Sequence, residues 1–184
     1  STQLKMYDEQ LLRRFKVEEQ KHENNSRKVV YERNSQFVFF SDMSQLSHRT
    51  HSTAIQIGER TFACVEQALE LALTMDHASN HSLFYLTCFV LRQRFTSDSH
   101  AALELLESGS RRLVLCSGDR RMGIGIDIED PRRLKPVSWP GLNLLGKALL
   151  AVRRELQDGV PCVSEEQESG LGALFDGKID PFGC

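Results

Sequence analysis

The segment at residues 141–156, which reads GLNLLGKALLAVRREL, restricts the fold of this chain more than any other stretch. Its apolar residues recur at helical spacing and predict one buried helix face, made of Leu145, Leu149, Val152 and Leu156. Asn143 stands at the N-cap position, where a side-chain oxygen accepts an unpaired backbone N–H. Gly146 allows backbone or a ligand to approach closely. Arg153 lies off the apolar face, so we expect its guanidinium to reach a carboxylate or a phosphate.

The composition favours one ordinary domain with extensions. A chain of 184 residues with 40% hydrophobic residues can build a sizeable core. Its formal net charge of -2 provides no overall attraction to nucleic acids or anionic membranes. No apolar run of membrane-spanning length and no signal peptide is visible, so we expect no membrane association and an intracellular protein, cytoplasmic or nuclear.

The cysteines and histidines predict no metal centre and no cofactor. The five cysteines have no framework spacing, which indicates reduced thiols. His48 and His51 are close in sequence, as are His77 and His81, but no metal-binding motif accompanies either pair.

Periodicity along the chain predicts a mixed fold in which helices dominate. β-Branched and aromatic residues predict strands at residues 29–31, 37–40, 53–57 and 112–116. Helices are predicted at residues 62–75 and 83–94, and from Ser97 or Asp98 to Glu107. Residues 124–128 predict a second strand or an extended loop, and residues 131–140 an irregular connection.

Both ends of the chain differ from the central residues 29–156. Residues 1–28 predict an amphipathic helix with Leu11 and Phe15 on its apolar side, followed by a polar linker. Residues 157–184 combine an acidic stretch with apolar residues but show no helical period. We expect this tail to be a docking peptide, with Leu174, Phe175 and Phe182 as its contacts. The alternative is a disordered terminus.

The pattern G-x-N-x-L-G-x-x-L-x-x-x-R at residues 141–153 resembles the C-terminal signature of the NADAR, or YbiA-like, domain family. The resemblance extends over residues 29–156. It implies an α+β, mainly helical single domain with a few short strands. It also implies a pocket for ADP-ribose-like or ribosyl-amine ligands, and several members of the family are N-glycosidases.

The resemblance assigns a role to individual residues. The helix that begins near Thr61 is similar to the family's first motif and places Glu66 on its catalytic glutamate. Such a carboxylate stabilises oxocarbenium character and positions water. The ligand-binding candidates that follow from the other motifs are Asp119, Gly123, Asn143, Gly146, Arg153 and Phe40. Without the resemblance, Glu66 is a solvated helix carboxylate, the Asp119 loop an ordinary turn, and Phe40 a core residue.

Several positions depart from the family pattern. The histidine that usually follows the glutamate is Gln67, and the lysine two turns later is Leu73, which cannot bind an anion. The segment between the first long helix and the next looks shortened and lacks the family's arginine-rich stretch and pocket tryptophan. Met122 replaces a tryptophan of the second motif, and Trp139 stands in an unrelated position. These losses predict a degenerate domain that acts as a protein-interaction module through the N-terminal helix or the tail, with a residual nucleotide pocket.

An active N-glycosidase with Glu66 as its catalytic carboxylate is the alternative. Asp119 and Arg153 would then hold the ribose or a phosphate, and one of three arginines would replace the lysine: Arg94, Arg120 or Arg121. This function requires Glu66, Asp119 and Asn143 to converge on one open cleft. Nucleic-acid binding is disfavoured because acidic residues balance the arginine pairs. The sequence leaves the oligomeric state open.

Overall fold

The computed structural model describes residues 31–51, 54–75 and 80–176 of the chain. In chain order its strands and helices are β1 (Tyr31–Arg33), β2 (Phe37–Phe40), β3 (Ile55–Ile57), β4 (Arg60–Phe62), α1 (Val65–Met75), α2 (Asn80–Ser97), α3 (Ser99–Glu107), β5 (Arg112–Leu115), α4 (Leu144–Asp158) and α5 (Glu165–Phe175). Two short 3-10 turns, Pro131–Leu134 and Pro136–Ser138, lie before α4. Five helices and a few short strands in the described ranges confirm the predicted mainly helical α+β fold.

A three-stranded sheet in the order β1-β2-β5 forms the centre of the fold. β1 runs antiparallel to β2, whereas β2 and β5 are parallel, with Phe40 opposite Leu115. Parallel neighbours need a long crossover connection, which here contains the β3–β4 hairpin and the helices α1, α2 and α3. The last residues of β2 and β5 therefore reach the same edge of the sheet.

Successive residues of β2 and β5 point to opposite faces of the sheet, which divides the core in two. On the helix-covered face lie Val38, Phe40, Leu113 and Leu115. On the other face lie Phe37, Phe39, Val114 and Cys116, covered by Ile124, Ile126 and Ile128. Residues 124–128 form turns and bends rather than a strand, which selects the extended loop of the two predicted alternatives.

Helix α4 packs closely on β5, and its start differs from the predicted one. Asn143 adopts a left-handed conformation (φ 50°) and does not cap α4 with its side chain, so the predicted N-cap hydrogen bond is wrong. Its amide instead donates to the carbonyl of Leu113 at 2.9 Å and accepts from the backbone N–H of Leu115 at 3.1 Å. A Cβ at Gly146 would lie 2.1 Å from the Leu113 oxygen, so only glycine permits this approach.

The start of α4 also holds the loop that follows β5. The backbone N–H groups of residues 142–145 all donate to carbonyls of residues 120–123, over 2.8–3.2 Å. The individual pairs are Leu142 to Arg120, Asn143 to Gly123, Leu144 to Arg121 and Leu145 to Met122. These bonds satisfy donors that a helix otherwise leaves unpaired at its N-terminus.

The C-terminal segment contains a helix that packs on its own chain, although the sequence shows no helical period there. Ser164 and Gln167 form a reciprocal capping box that starts α5. Phe175 is buried between the rings of Phe62 and Phe89, with centroids 5.7 and 6.0 Å away. Phe175 is therefore unavailable to a partner, and Leu174 beside it is partly buried against the same core. Leu11, Phe15 and Phe182 lie outside the described residues.

Other element boundaries agree with the sequence to within a few residues. Strand β2 begins and ends as predicted, and Asp98 is the N-cap of α3, accepting from the N–H of Ala101. Helix α1 begins at Val65, later than predicted, because Phe62 belongs to the unpredicted strand β4. Helix α2 extends beyond the predicted range at both ends. None of the helices within the described ranges is both long and apolar enough to cross a bilayer.

Candidate functional site

A polar cluster lies at the sheet edge where β2 and β5 end. Ser41 and Asp42 follow β2, and Ser117 follows β5 after Cys116. The Ser117 hydroxyl donates to Asp42 Oδ2 at 2.8 Å and ties the two strand ends together. Because both strands point the same way, residues 75 positions apart in the chain meet here.

The loop at residues 41–50 is built from serine turns. The hydroxyls of Ser41, Ser44 and Ser47 each accept from the backbone N–H two residues later, at 3.2–3.3 Å. Backbone bonds also join each serine to the next, at 3.0 Å. Such side-chain bonds replace the regular ladder of a helix or strand. The repeated turns place His48 and Arg49 at the end of the loop, facing α1.

The buried guanidinium of Arg94 anchors this loop from α2. Arg94 is 0% exposed, and it donates to the backbone carbonyls of Gln45 and Ser47. Burial lowers the pKa of Arg94, while the nearby acids Asp98 and Glu104 oppose that change. Arg94 therefore shapes the loop from behind and does not offer its charge to a ligand, contrary to its predicted role as a substitute for the missing lysine.

Glu66, the second residue of α1, is joined to the loop by its backbone and its side chain. Its N–H donates to the carbonyl of His48 at 2.8 Å. Its Oε1 accepts from Arg49 Nε at 2.8 Å, and Arg49 Nη1 donates to Asp42 Oδ2 at 3.0 Å. The side chains of Arg49 and Glu66 remain 40% and 35% exposed. The Glu66 carboxylate is thus held in place while a solute can still reach it.

His48 lies beneath this network. It is 2% exposed, with Nε2 3.9 Å from Glu66 Oε1, and no described residue bonds its buried Nδ1. Burial lowers the pKa of His48, and the charge of Arg49 lowers it further, while Asp42, Glu66 and Asp119 act in the opposite sense. The imidazole is therefore neutral at neutral pH and adds no second cation beside Arg49.

Asp119 and Gly123 lie in the loop that joins β5 to α4. The Asp119 carboxylate accepts from the N–H groups of Arg121 and Met122, at 2.7 and 3.0 Å, and its own N–H donates to Ser117 Oγ at 3.3 Å. The hydrogen bond to Glu66 is the main cause that raises the pKa of Arg49, and the negative charge of Asp119 raises it further. A Cβ at Gly123 would lie 2.8 Å from the carbonyl oxygen of Leu115. Asp119 is therefore linked to the Glu66 cluster through Ser117, which bonds both Asp119 and Asp42. Gly123 lets the loop approach the strand.

Four predicted ligand residues lie elsewhere, and three of them, Phe40, Asn143 and Gly146, lie inside the fold. Phe40 is 0% exposed in the main core, so it presents no face on which a base could stack. Asn143 and Gly146 face β5 inside the fold. The expected convergence of Glu66, Asp119 and Asn143 on one open cleft is therefore wrong for Asn143, and an N-glycosidase built on this fold would have to act without that side chain.

Arg153 lies at the opposite end of β5. Its Nη1 donates to Ser108 Oγ at 2.6 Å and to the carbonyl of Arg111 at 2.9 Å, before the strand begins. A hydroxyl and a carbonyl, rather than the expected carboxylate or phosphate, are its partners. Burial lowers the pKa of Arg153, and Arg154 lowers it further.

The sequence did not single out four members of the cluster as site residues: Asp42, His48, Arg49 and Ser117. From the sequence, His48 is a candidate only for a metal ligand. The signal that could have found the loop is the serine at every third position, at Ser41, Ser44 and Ser47, which is typical of consecutive side-chain turns. No group of three or more potential metal ligands is arranged around a cation position within the described ranges. The groups that can act on a ligand in this cluster are the carboxylates of Asp42, Glu66 and Asp119 and the guanidinium of Arg49.

Comparisons with known proteins identify the family of this chain. The family model for the NADAR domain matches residues 9–157. A protein of Acanthamoeba polyphaga mimivirus named N-glycosidase is 36% identical over 67 residues. That match covers 36% of this chain and 39% of the viral protein, well under half the length of each. The family match spans most of the sequence and confirms the resemblance seen in its motifs. The chain belongs to the NADAR domain family.

Proposed function

We propose that this domain hydrolyses an N-glycosidic bond of an ADP-ribosyl or ribosyl-amine substrate, with Glu66 as the carboxylate at the reacting centre. The observation that carries the proposal is the Glu66 side chain, which is reachable from solvent yet fixed by Arg49. Asp42 and Asp119 add two carboxylates to the same cluster. The name of the viral relative, N-glycosidase, supports the same reaction class.

The charges of the cluster suit this chemistry. As the bond between C1 of the ribose and the nitrogen lengthens, positive charge develops on C1 and the ring oxygen. Fixed carboxylates stabilise that charge because they need no reorganisation when it appears. Glu66 Oε1 is bonded to Arg49, whereas no described residue donates to Oε2. Oε2 is therefore the atom that orients the attacking water and accepts its proton.

The bond changes balance without a further reagent. The water oxygen forms the new bond to C1, and the nitrogen leaves with the electron pair of the broken bond. The proton taken from water by Glu66 returns to solvent or to the leaving nitrogen. The products are a free ribose hydroxyl and the free amine or base.

Two exposed arginines could bind the phosphates of an ADP-ribosyl substrate. Arg120 and Arg121 directly follow Asp119. No carboxylate within the described ranges pairs with either guanidinium. Leu73, which stands at the position of the family's lysine, packs partly buried against the core and provides no charge. We infer that cationic binding has moved from α1 to this loop.

Turnover by the purified chain tests the proposal. We would measure release of free amine or base from ribosyl-amine and ADP-ribosylated substrates by chromatography and mass spectrometry. Glu66→Gln keeps the size of the side chain but removes its charge, and we expect kcat to fall about a hundredfold or more. Glu70→Gln is the matched control, because Glu70 is exposed one turn later on α1. Its kcat should equal that of the wild type.

The degenerate interaction module remains the second candidate. It is supported by the substitutions Gln67, Leu73 and Met122, and by the Asn143 side chain, which bonds β5 and does not reach the Glu66 cluster. The purified wild-type chain distinguishes the N-glycosidase from the interaction module. A folded wild type that hydrolyses none of these substrates, and shows no calorimetric binding of millimolar ADP-ribose, would contradict the N-glycosidase and favour the module. Activity that survives Glu66→Gln unchanged would retain the reaction but reject Glu66 as its carboxylate.

A further inference from the structure

We propose that Arg49 is a positioning residue for Glu66, held in turn by Asp42 and Ser117. The inference rests on the proposed function and concerns the same site. It assigns the alignment of the reacting carboxylate to a side chain of the serine-turn loop at residues 41–50, rather than to the helix that carries Glu66.

The geometry shows a chain of hydrogen bonds from the sheet to the carboxylate. Ser117 Oγ donates to Asp42 Oδ2 at 2.8 Å, Arg49 Nη1 donates to the same oxygen at 3.0 Å, and Arg49 Nε donates to Glu66 Oε1 at 2.8 Å. Arg49 uses two different nitrogens for two different carboxylates. A planar guanidinium fixed at both positions cannot rotate without breaking one of these bonds.

The backbone on both sides of the pair is fixed as well. The N–H of Arg49 donates to Ser47 Oγ at 3.2 Å, and the N–H of Glu66 donates to the His48 carbonyl at 2.8 Å. Arg94 anchors the carbonyl of Ser47 from the core at 2.8 Å. The Arg49–Glu66 bond therefore joins two backbone segments that are already in register, so it selects one orientation of the Glu66 side chain.

The balance of charges also requires Arg49. Asp42, Glu66 and Asp119 bring three carboxylates into the cluster, and the neutral His48 offsets none of them. The arginine remains charged at every physiological pH. Without it, repulsion from Asp42 and Asp119 would turn the half-exposed Glu66 side chain toward solvent, away from the sugar.

Steady-state kinetics of Arg49→Ala tests this inference. A misplaced catalytic group costs up to about a hundredfold in rate, so we expect kcat to fall about tenfold to a hundredfold with KM nearly unchanged. Arg49→Lys keeps the charge but cannot serve both carboxylates with one planar fork, so its kcat should lie between those of Arg49→Ala and the wild type. Arg154→Ala, which removes an exposed arginine on α4, should leave both constants unchanged.

A double variant separates positioning from a general structural role. If Arg49 acts through Glu66, then Arg49→Ala in a Glu66→Gln background should reduce the residual rate by less than twofold. Arg49→Ala with wild-type kcat, or with higher kcat, would overturn the inference while leaving the N-glycosidase proposal intact. A double variant whose kcat is tenfold below that of Glu66→Gln alone would also overturn it. A wild type without turnover would overturn both proposals together.

Discussion

A Gly146→Ala variant is expected to lose about 3 kcal/mol or more of the free energy of unfolding. The added Cβ would lie 2.1 Å from the carbonyl oxygen of Leu113 and within 2.7 Å of the Asn143 amide. Neither neighbour can give way cheaply, because the first is strand backbone and the second bonds β5 through Leu113 and Leu115. Helix α4 would have to move off the sheet and release the Asp119 loop that its first N–H groups hold.

Gly170→Ala is the control for this prediction. Gly170 is an exposed residue of α5, and a Cβ there would meet nothing within 4 Å. Alanine at that position should be neutral or stabilise by up to about 1 kcal/mol, since glycine is a poor helix former. Urea and thermal unfolding give both free energies. A Gly146→Ala protein with the same unfolding midpoint as the wild type would show that α4 does not approach β5 so closely.

Phe175→Ala is expected to cost about 3 to 5 kcal/mol, the range for deleting a buried phenylalanine side chain. The ring is 1% exposed and lies against Phe62 of β4 and Phe89 of α2. The carbonyl of Phe175 also accepts from Arg60 Nε at 2.8 Å, so the loss would loosen the end of α5 from the β3–β4 hairpin. Chemical denaturation measures the loss, and limited proteolysis should cut α5 faster in the variant.

The neighbouring residue provides the comparison. Leu174 is only partly buried, so Leu174→Ala removes less apolar surface from water and should cost clearly less than Phe175→Ala. Equal losses of unfolding free energy in the two variants would argue that Phe175 does not face the core more closely than Leu174 does. If neither variant is less stable than the wild type, then α5 does not pack on β4 and α2, and the prediction of a tail that docks elsewhere regains support.

The sequence predicted the helices and strands whose apolar residues recur regularly. It missed those in which other residues interrupt that pattern or which are very short. Strand β2 and the start of α3 were found, because dense apolar residues and a capping aspartate mark them. Helix α5 was missed because glycines and glutamates interrupt its apolar face, although Ser164 and Gln167 carry a capping signature. Strand β4 was missed because it is three residues long and pairs only with β3.

The sequence predicted only those residues of the candidate site that belong to family motifs. Glu66 and Asp119 followed from the family resemblance, whereas Arg49 lies 17 residues before Glu66 and its contact depends on the folded loop. The contact between Asp42 and Ser117 depends on the parallel pairing of β2 and β5, which no local pattern encodes. Asn143 and Arg153 were misassigned for a related reason. Polar residues in a signature stabilise backbone inside a fold as readily as they bind a ligand.

The hydrogen bonds at the start of α4 also restrict how this domain can recognise a negatively charged molecule. A free helix N-terminus is a ready anion-binding site, since its unpaired amides and the helix dipole both attract phosphate. Here the carbonyl oxygens of residues 120–123 already accept from the amides of residues 142–145. The proposed recognition of a phosphate at this loop would therefore depend on long side chains such as Arg120 and Arg121. It would weaken as ionic strength rises, unlike binding to a buried ring of amides.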